Sequence, residues 1–413
     1  MKPLEIAIIG GGAAGMMAAL GAAERGAKVT ILEATARIGN KILLTGNGKC
    51  NFANEVMDES CYYCKDENFV PKIFEQFSPK DLCDFFERNG MFYKSKNGYL
   101  YPYGEQASIV LDILRYAIKR SGVKVVENAK VLCITKNAEN FLVETENGQN
   151  FLFDKVILCT GGRSYPKTGS DGSGYKIAKK MGHSVFPTVP ALVQLCGNDS
   201  FYKMIAGVRS EGVVSLKIDN EFVRKERGEI QFTDYGISGI PVFQLSRLAS
   251  YGLYEKKEVS VFADVLPDVS KEDLKETVLK RYALYKDGTL EEFMCGFVNK
   301  KLSLLAIHMA GKKAQGLVKD ATVDDLNKIV MYLKNIEFHI NKTKSFDTAQ
   351  VTAGGVLTDK LDENLQSKCT KGLYFAGEIV DVDGICGGYN LQWAFISGYI
   401  AGRSAAQRKG EMN

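Results

Sequence analysis

Three glycines and an acid carry the first chemical information in the chain. Gly10, Gly12 and Gly15 stand in the spacing Gly-x-Gly-x-x-Gly, and Glu33 follows about 20 residues on. The first glycine permits a tight strand-to-helix turn, the second lets backbone approach a pyrophosphate, and the third lets helix and strand pack closely. A helix N-terminus offers phosphates its free N–H groups and the positive end of its dipole. An acid closing the next strand can hydrogen-bond a ribose hydroxyl. This pattern points to dinucleotide binding; the alternative is an ordinary glycine-rich turn with a solvated strand-end carboxylate.

Other residues suited to chemistry lie far along the chain. Thr160-Gly161-Gly162 follows an apolar run, as a second contact near the same nucleotide requires. The next stretch, Arg163 to Tyr175, is a loop by its Gly, Ser and Pro content. Near the end, Gly377-Glu378 and the glycines from Gly384 to Gly388 precede an apolar helix whose N-terminus would face something anionic or electron-rich. Cys61 and Cys64 form a CxxC, but no second pair or histidine cluster completes a metal site. His183, His308 and His339 are scattered and read as structural or surface residues, so no metal is expected.

These residues need elements to hold them. Leu4 to Ile9 reads as a strand, Ala13 to about Arg25 as a small-residue helix stopped by Gly26, and Lys28 to Leu32 as the second strand. From Arg37 to Asn51 the chain is polar and glycine-punctuated, either a surface loop or a loop that wraps a cofactor with backbone N–H groups and cations. Ser78-Pro79 starts a helix, Asn97-Gly98 turns a hairpin, and Ile109 to Ile118 carry helical spacing. Runs 123–126, 130–135, 141–145 and 151–158 have strand character. The stretch 190–265 reads as short β runs, and 270–335 as mainly helical with Ser270 and Thr322 as caps. Strand character returns at Val351 to Val356 and Gly372 to Glu378, before a helix from Asn390 through Ala401.

The chain is of globular composition, 45% hydrophobic and 25% charged, and 413 residues suffice for two or three domains. A net charge of +4 with no long basic block gives no sign of a nucleic-acid partner. No apolar run approaches the roughly 18 residues of a membrane span. Met1-Lys2-Pro3 leads straight into the first strand, so no signal peptide is expected. Ten cysteines without framework spacing fit reduced thiols in a cytoplasm.

In combination, GGGAAG near the start, KILLTGNGKCN, TGGRSYPKTGSDGSGY, FTDYGISG, VTAGGV and the terminal GLYFAGEIVDVDGICGGYNLQWAFISG resemble one family over nearly the whole chain. It is the bacterial NAD(P)/FAD-dependent oxidoreductase group called the aminoacetone oxidase family, which includes 3-dehydro-bile acid Δ4,6-reductase-like flavoproteins. More distantly the chain is similar to flavoproteins of the fumarate reductase and 3-ketosteroid dehydrogenase kind. Asn47 and Lys49 depart from the glycine and arginine expected there, and lysine lacks arginine's bidentate grip on phosphate.

The resemblance implies an α/β fold with a two-part Rossmann-type FAD-binding domain of the glutathione-reductase type. That domain would comprise 1–189 and 346–413. An inserted β-rich, barrel-like unit would span 190–268 and about 336–345, with a helical unit at 269–335. Gly10, Gly12, Ala14 and Gly15 would meet the pyrophosphate of a non-covalent FAD, with Glu33 on the adenosine ribose. Lys41, Lys49, Cys50 and Asn51 would line the phosphate and flavin channel. Val131 would offer backbone to the adenine, and Thr160 and Gly161 would close over the nucleotide. Gly377 and Glu378 would hold the ribityl–phosphate region, and Gly388, Tyr389, Asn390 and Leu391 would set the last helix against the flavin.

The leading expectation is a flavoenzyme that takes hydride from NAD(P)H and passes it to an unsaturated or carbonyl small molecule, such as a steroid-like enone. Arg163, Tyr165 and Lys167 are the candidates to meet the charge that develops on the substrate oxygen, followed by Tyr235 and Ser238. With one Gly-x-Gly-x-x-Gly in the chain, the NAD(P)H donor must bind transiently or without a second Rossmann repeat. An oxygen-using amine or amino-ketone oxidase is the alternative. A non-catalytic flavin-binding or nucleic-acid-associated module is the alternative of another class.

Overall fold

The structure, a computed structural model, describes residues 2–56 and 58–407. Met1, to which the signal-peptide reading refers, and 408–413, at the end of the expected FAD-binding segment, lie outside the described residues. The chain divides into two compact units, 1–189 with 346–413, and 190–345.

The first unit is built on a five-stranded parallel sheet. Its strands are β1 (Glu5–Ile9), β2 (Lys28–Leu32), β3 (Lys124–Val126), β4 (Lys155–Leu158) and β5 (Leu373–Phe375), in the order β5-β4-β1-β2-β3. β1 is central, and its Ile6, Ala7 and Ile8 have no exposure at all. It is a Rossmann-type α/β fold in two parts, because β5 reaches the sheet from the far end of the chain.

The helix after β1, Ala13–Glu24, is buried from Ala14 to Ala22. One side lies on the sheet, where a Cβ at Gly15 would fall 1.9 Å from the carbonyl oxygen of Gly10. The other side meets the last helix, Tyr389–Ala406. A Cβ at Gly398 would lie 2.2 Å from the Ala14 oxygen, and one at Gly402 would lie 2.0 Å from the Ala18 oxygen. Ala14 facing Gly398 and Ala18 facing Gly402 means that the two helices run in the same direction. Tyr389 lies nine residues ahead of Gly398 and Ala13 one ahead of Ala14. The last helix therefore starts about 12 Å beyond the first, at about 1.5 Å per residue.

The second unit holds a seven-stranded antiparallel sheet in the order Ile336–Ile340, Val259–Asp264, Arg209–Ile218, Glu221–Thr233, Gly236–Ser238, Leu195–Cys196, Lys342–Thr343. The two outermost strands are separated in the chain only by Asn341, whose N–H bonds to Cys196. One bent segment thus closes the sheet on itself in barrel fashion. The helices Lys271–Tyr285, Leu290–Met294, Lys300–Met309 and Val323–Tyr332 follow, with Ser270, Thr289 and Thr322 accepting N-cap hydrogen bonds.

Several elements differ from their sequence reading. The run 151–158 is two strands, Asn150–Phe153 and β4, because Asp154 turns the chain by exchanging bonds with Glu5 through its N–H and its carboxylate. Within 190–265, read as β runs, Ile240–Tyr254 is a helix with Pro241 in its first turn and Val242, Leu245 and Ala249 buried. Glu221–Thr233 is a long strand whose polar first half carries no apolar alternation, since it pairs along Arg209–Ile218 at the surface. Strand character ends at Ala353 rather than Val356, and at Phe375 before a short turn over Gly377–Ile379. Among the described residues, no helix is long and apolar enough to cross a membrane.

The helix crossing sets a test. Gly402→Val places a branched side chain against the Ala18 carbonyl and is expected to cost about 3 kcal/mol or more. Urea denaturation followed by circular dichroism measures it, and an unchanged midpoint would refute the close approach.

Candidate functional site

The Gly10–Gly15 turn is shaped by contacts on all sides but one. Gly10 takes φ +97°, and a Cβ there would lie 2.6 Å from the Cys159 oxygen. A Cβ at Gly12, by contrast, would meet nothing within 4 Å. Gly12 is thus the point where the N-terminus of the first helix opens to a visitor. Glu33, buried at the end of β2, accepts from the Gly11 N–H at 2.7 Å through Oε2 and from the Thr35 N–H and hydroxyl, each at 2.8 Å, through Oε1. A carboxylate offers about four lone-pair sites, so one on Oε2 is left for a ligand hydroxyl. The 161–172 loop folds back here: a Cβ at Gly169 would lie 3.4 Å from Glu33 Oε1.

Glu378 does the same work further along. Its Oε2 accepts from Lys41 Nζ at 2.6 Å and from the Gly162 N–H at 3.1 Å, and its Oε1 accepts from the Thr352 N–H at 2.9 Å. Three chain segments are tied to one carboxylate. Thr352 extends the network, its Oγ1 accepting from the N–H groups of Arg163 at 2.8 Å and Ser164 at 3.0 Å. The ammonium of Lys41 keeps two of its donor positions beyond the Glu378 bond.

At the last helix, Gly388 is the N-cap with φ +91°, and a Cβ there would lie 2.7 Å from both the Ala53 oxygen and Asn51 Oδ1. Asn390 fixes the preceding loop by exchanging two 2.8 Å bonds with Gly384. Gln392 accepts from the Asn54 N–H at 2.9 Å and donates to the Tyr62 hydroxyl at 3.0 Å, which in turn donates to the Tyr389 carbonyl. Burial, and then a hydrogen bond with Cys61, raises the Tyr389 phenol above its ordinary range. Leu391 is half-buried on the same turn.

The expected binding residues therefore gather along one line in the first unit, with differences. Lys49 is exposed and pairs with Glu105 at 3.4 Å, so its charge faces that carboxylate. Cys50 has no exposure, and burial raises its thiol to about 12. Asn47 takes φ +53° at the expected glycine position, which asparagine tolerates better than most residues. Val131 is buried in a strand, paired with Thr145. Of the loop candidates, the Arg163 guanidinium lies 4.3 Å from the Phe346 ring centre and donates to Thr188 at 3.3 Å. Tyr165 is held at φ +55°, its N–H bonded to the Phe346 carbonyl; a bulky residue seldom takes that conformation. Lys167 is exposed in the turn Pro166–Thr168. Tyr235 and Ser238 belong to the second unit, where the Lys344 ammonium lies 3.9 Å from the Tyr235 ring centre and Ser238 is buried in a strand. Among the described residues no group of three or more His, Cys, Asp or Glu could hold a metal ion.

Sequence reasoning assigned nothing to Thr35, Ser170 or Thr352. Thr352 sits in the VTAGGV run, whose isolated threonine between apolar residues was the available signal. Three buried side-chain oxygens along the line, Asn51 Oδ1, Thr160 Oγ1 and Ser170 Oγ, have no hydrogen-bond partner among the described residues. Such atoms are costly unless something satisfies them. Together with the open side of Gly12 and the staggered helix N-termini, they fit an extended dinucleotide with its phosphates at the first helix and its ring end at the last.

Residues 4–404 match the model of the HI0933-like protein Rossmann domain. The chain is 42% identical to a 3-dehydro-bile acid delta(4,6)-reductase of Clostridium scindens, over 98% of this chain and 99% of that one. It is 30% identical to a ribosomal RNA dihydrouridine synthase of Haemophilus influenzae, over 98% and 99%. In fold it is similar to a 3-ketosteroid delta1-dehydrogenase structure from Sterolibacterium denitrificans, with a TM-score of 0.52, 14% identity, and coverage of 98% and 100%.

Two expectations follow. Glu378→Gln keeps the shape but loses the charge that holds Lys41, and should lower stability by about 2–3 kcal/mol in urea; an unchanged midpoint would deny Glu378 its clamping role. The raised Cys50 thiol stays neutral through mildly alkaline pH, since its pKa lies above that range. Iodoacetamide on the native protein should therefore label exposed Cys295 and Cys369 and spare Cys50. Peptide mass spectrometry reads this, and early labelling of Cys50 would contradict its burial.

Proposed function

Because the chain belongs to the HI0933-like family, we propose that it is an FAD-dependent oxidoreductase that reduces a carbonyl-conjugated double bond of a steroid-like small molecule, with NAD(P)H as electron donor. The end-to-end match, at 42% identity, to a reductase of 3-dehydro-bile acids carries this reading. The absence of disulfides among the described cysteines suits a cytoplasmic setting.

In this reading Gly12 and the N-terminus of the first helix take the pyrophosphate, with Ala14 just inside that helix. The remaining lone pair of Glu33 takes the adenosine ribose, and Val131 backbone meets the adenine. Thr160, Gly161 and Ser170 close over the nucleotide. Lys41 and Glu378 flank the ribityl–phosphate region beside Gly377. Asn51 and Gly388 to Leu391 meet the ring end. FAD, when bound, supplies the hydride transfer for which the protein has no side-chain equivalent.

Reducing a conjugated double bond leaves negative charge on the substrate's carbonyl oxygen and requires a proton at the adjacent carbon. Arg163 is suited to the first role: its planar cation is already stacked on Phe346, so little side-chain freedom is lost in using it. Tyr165 is suited to the second, as a hydroxyl on a backbone held in an unusual conformation. Lys167 is the exposed cation of the same loop. The donor visits without a Rossmann repeat of its own, since the sheet of the second unit is antiparallel.

A second reading draws on the full-length relative named as a ribosomal RNA dihydrouridine synthase. There the reduced double bond would belong to uracil, conjugated to a carbonyl as in an enone, so the same site chemistry serves.

Anaerobic titration with NADH and then NADPH, following flavin absorbance, tests the proposal. Rapid bleaching by one of them, with colour restored by a 3-oxo-Δ4 steroid, is expected. Colour restored only by uridine-containing RNA would favour the second reading. A protein that stays yellow with both donors would sink the NAD(P)H-linked reading and return the search to oxygen-dependent amine oxidation.

A further inference from the structure

The hairpin formed by Tyr93–Lys96 and Tyr99–Pro102 has two unlike faces. Its register pairs Lys94 with Tyr101 and Lys96 with Tyr99, and the Tyr103 N–H bonds to the Phe92 carbonyl just beyond. Residues opposite one another share a face, and the face alternates along each strand. Leu100 and Pro102 are buried on one side. Phe92, Lys94, Lys96, Tyr99, Tyr101 and Tyr103 make up the other. Phe92 is 83% exposed and Tyr103 67%, with the Lys94 ammonium 5.1 Å from the Tyr103 ring centre.

The charge on this face is not balanced. One carboxylate, that of Glu105, serves three ammonium groups: Lys94 at 2.7 Å, Lys49 at 3.4 Å, and Lys96 in direct contact. The three ammonium groups exceed that carboxylate by two charges, and they stand among aromatic rings. The face also abuts the ring end of the candidate site. A Cβ at Gly387, beside the N-cap of the last helix, would lie 2.6 Å from Tyr99 Cε1, and Asn54 Nδ2 donates to the Gly387 carbonyl at 2.9 Å.

Rings alternating with cations, with Phe92 and Tyr103 exposed and Tyr99 and Tyr101 half-buried, suit a ligand that offers flat faces and negative charge at regular intervals. We propose that this hairpin face is a docking surface for single-stranded RNA, with bases stacking on Phe92, Tyr99, Tyr101 and Tyr103 and phosphates meeting Lys49, Lys94 and Lys96. Base–aromatic stacking combined with backbone cations is the general mode for single strands, and duplexes, whose bases are already stacked, cannot use the rings. The inference deepens the second reading above. It is tested by binding alone, whereas that reading is tested by turnover of uridine.

The probe is a fluorescein-labelled oligouridylate of about 12 nucleotides, titrated with the FAD-loaded protein by fluorescence anisotropy across a salt series. Lys94→Gln/Lys96→Gln is expected to weaken binding about tenfold at low salt and to flatten the plot of log affinity against log salt by about 1.4. Phe92→Ala/Tyr103→Ala is expected to weaken it about tenfold or more with the slope unchanged. Circular dichroism and flavin content should match the unsubstituted protein in both. Three results would overturn the proposal: no saturable binding by the unsubstituted protein, equal loss from Lys271→Gln/Lys275→Gln in the second unit, or displacement of the oligonucleotide by cholate at matched charge concentration, which would assign the face to a small acidic amphiphile.

Discussion

The contact that everything else depends on is the one between the first and last helices. Ala13–Glu24 has no polar face and cannot rest at a surface. It is covered by the sheet on one side and by Tyr389–Ala406 on the other, and the approach is so close that Gly398 and Gly402 leave no room for a methyl group. Glycine inside a helix costs about 1 kcal/mol relative to alanine. Here that cost is offset by packing along two largely buried helices. The geometry follows from the contact. Ala14 against Gly398 and Ala18 against Gly402 fix both direction and stagger, so two positive helix ends face the same way at different depths. An elongated anionic ligand can use both, whereas a compact one reaches only one.

Two carboxylates then organise the backbone around that line. Glu33 binds Gly11 and Thr35, and Glu378 binds Lys41, Gly162 and Thr352. Acids beside a phosphate site would repel it if their charge were free. Each is instead largely spent on N–H donors and, for Glu378, on a lysine, so the local field is set by the helix ends and by the remaining donors of Lys41. The loops so tied come from four distant parts of the sequence. Their order is therefore a consequence of the folded unit, and a change at either acid would loosen several segments together.

What the sequence showed and what it hid divides along the range of the interactions. Gly10, Gly12, Gly15 and Glu33 lie within one strand–helix–strand unit, and local pattern suffices to read them. Ser78, Ser270 and Thr322 were legible as caps because a cap acts within three residues. The helix Ile240–Tyr254 was missed beside neighbouring strands, although Val242, Leu245 and Ala249 have helical spacing. The polar half of Glu221–Thr233 was invisible because its reason to be a strand is the partner strand, not burial. In the site, Lys49 drew attention by its motif, yet its partner is Glu105, and no periodicity announces that pair. Thr160 Oγ1, Ser170 Oγ and Asn51 Oδ1 are buried without partners among the described residues, a property that exists only once the chain is folded.

The same division governs charge. A chain carrying +4 over 413 residues reads as nearly neutral, and no contiguous basic block marks a surface. Lys49, Lys94 and Lys96 come from two segments, and a hairpin register and one glutamate bring them together. Net charge averages over faces that a ligand meets singly, and fields at a protein surface are set within about 8–10 Å by the nearest charges. The flavin-type site and the cationic aromatic hairpin are also joined mechanically, since Tyr99 packs on Gly387 at the start of the last helix. Whatever lies on the hairpin is held beside the start of the last helix. The rings and charges of this rim therefore keep a fixed relation to the start of the last helix.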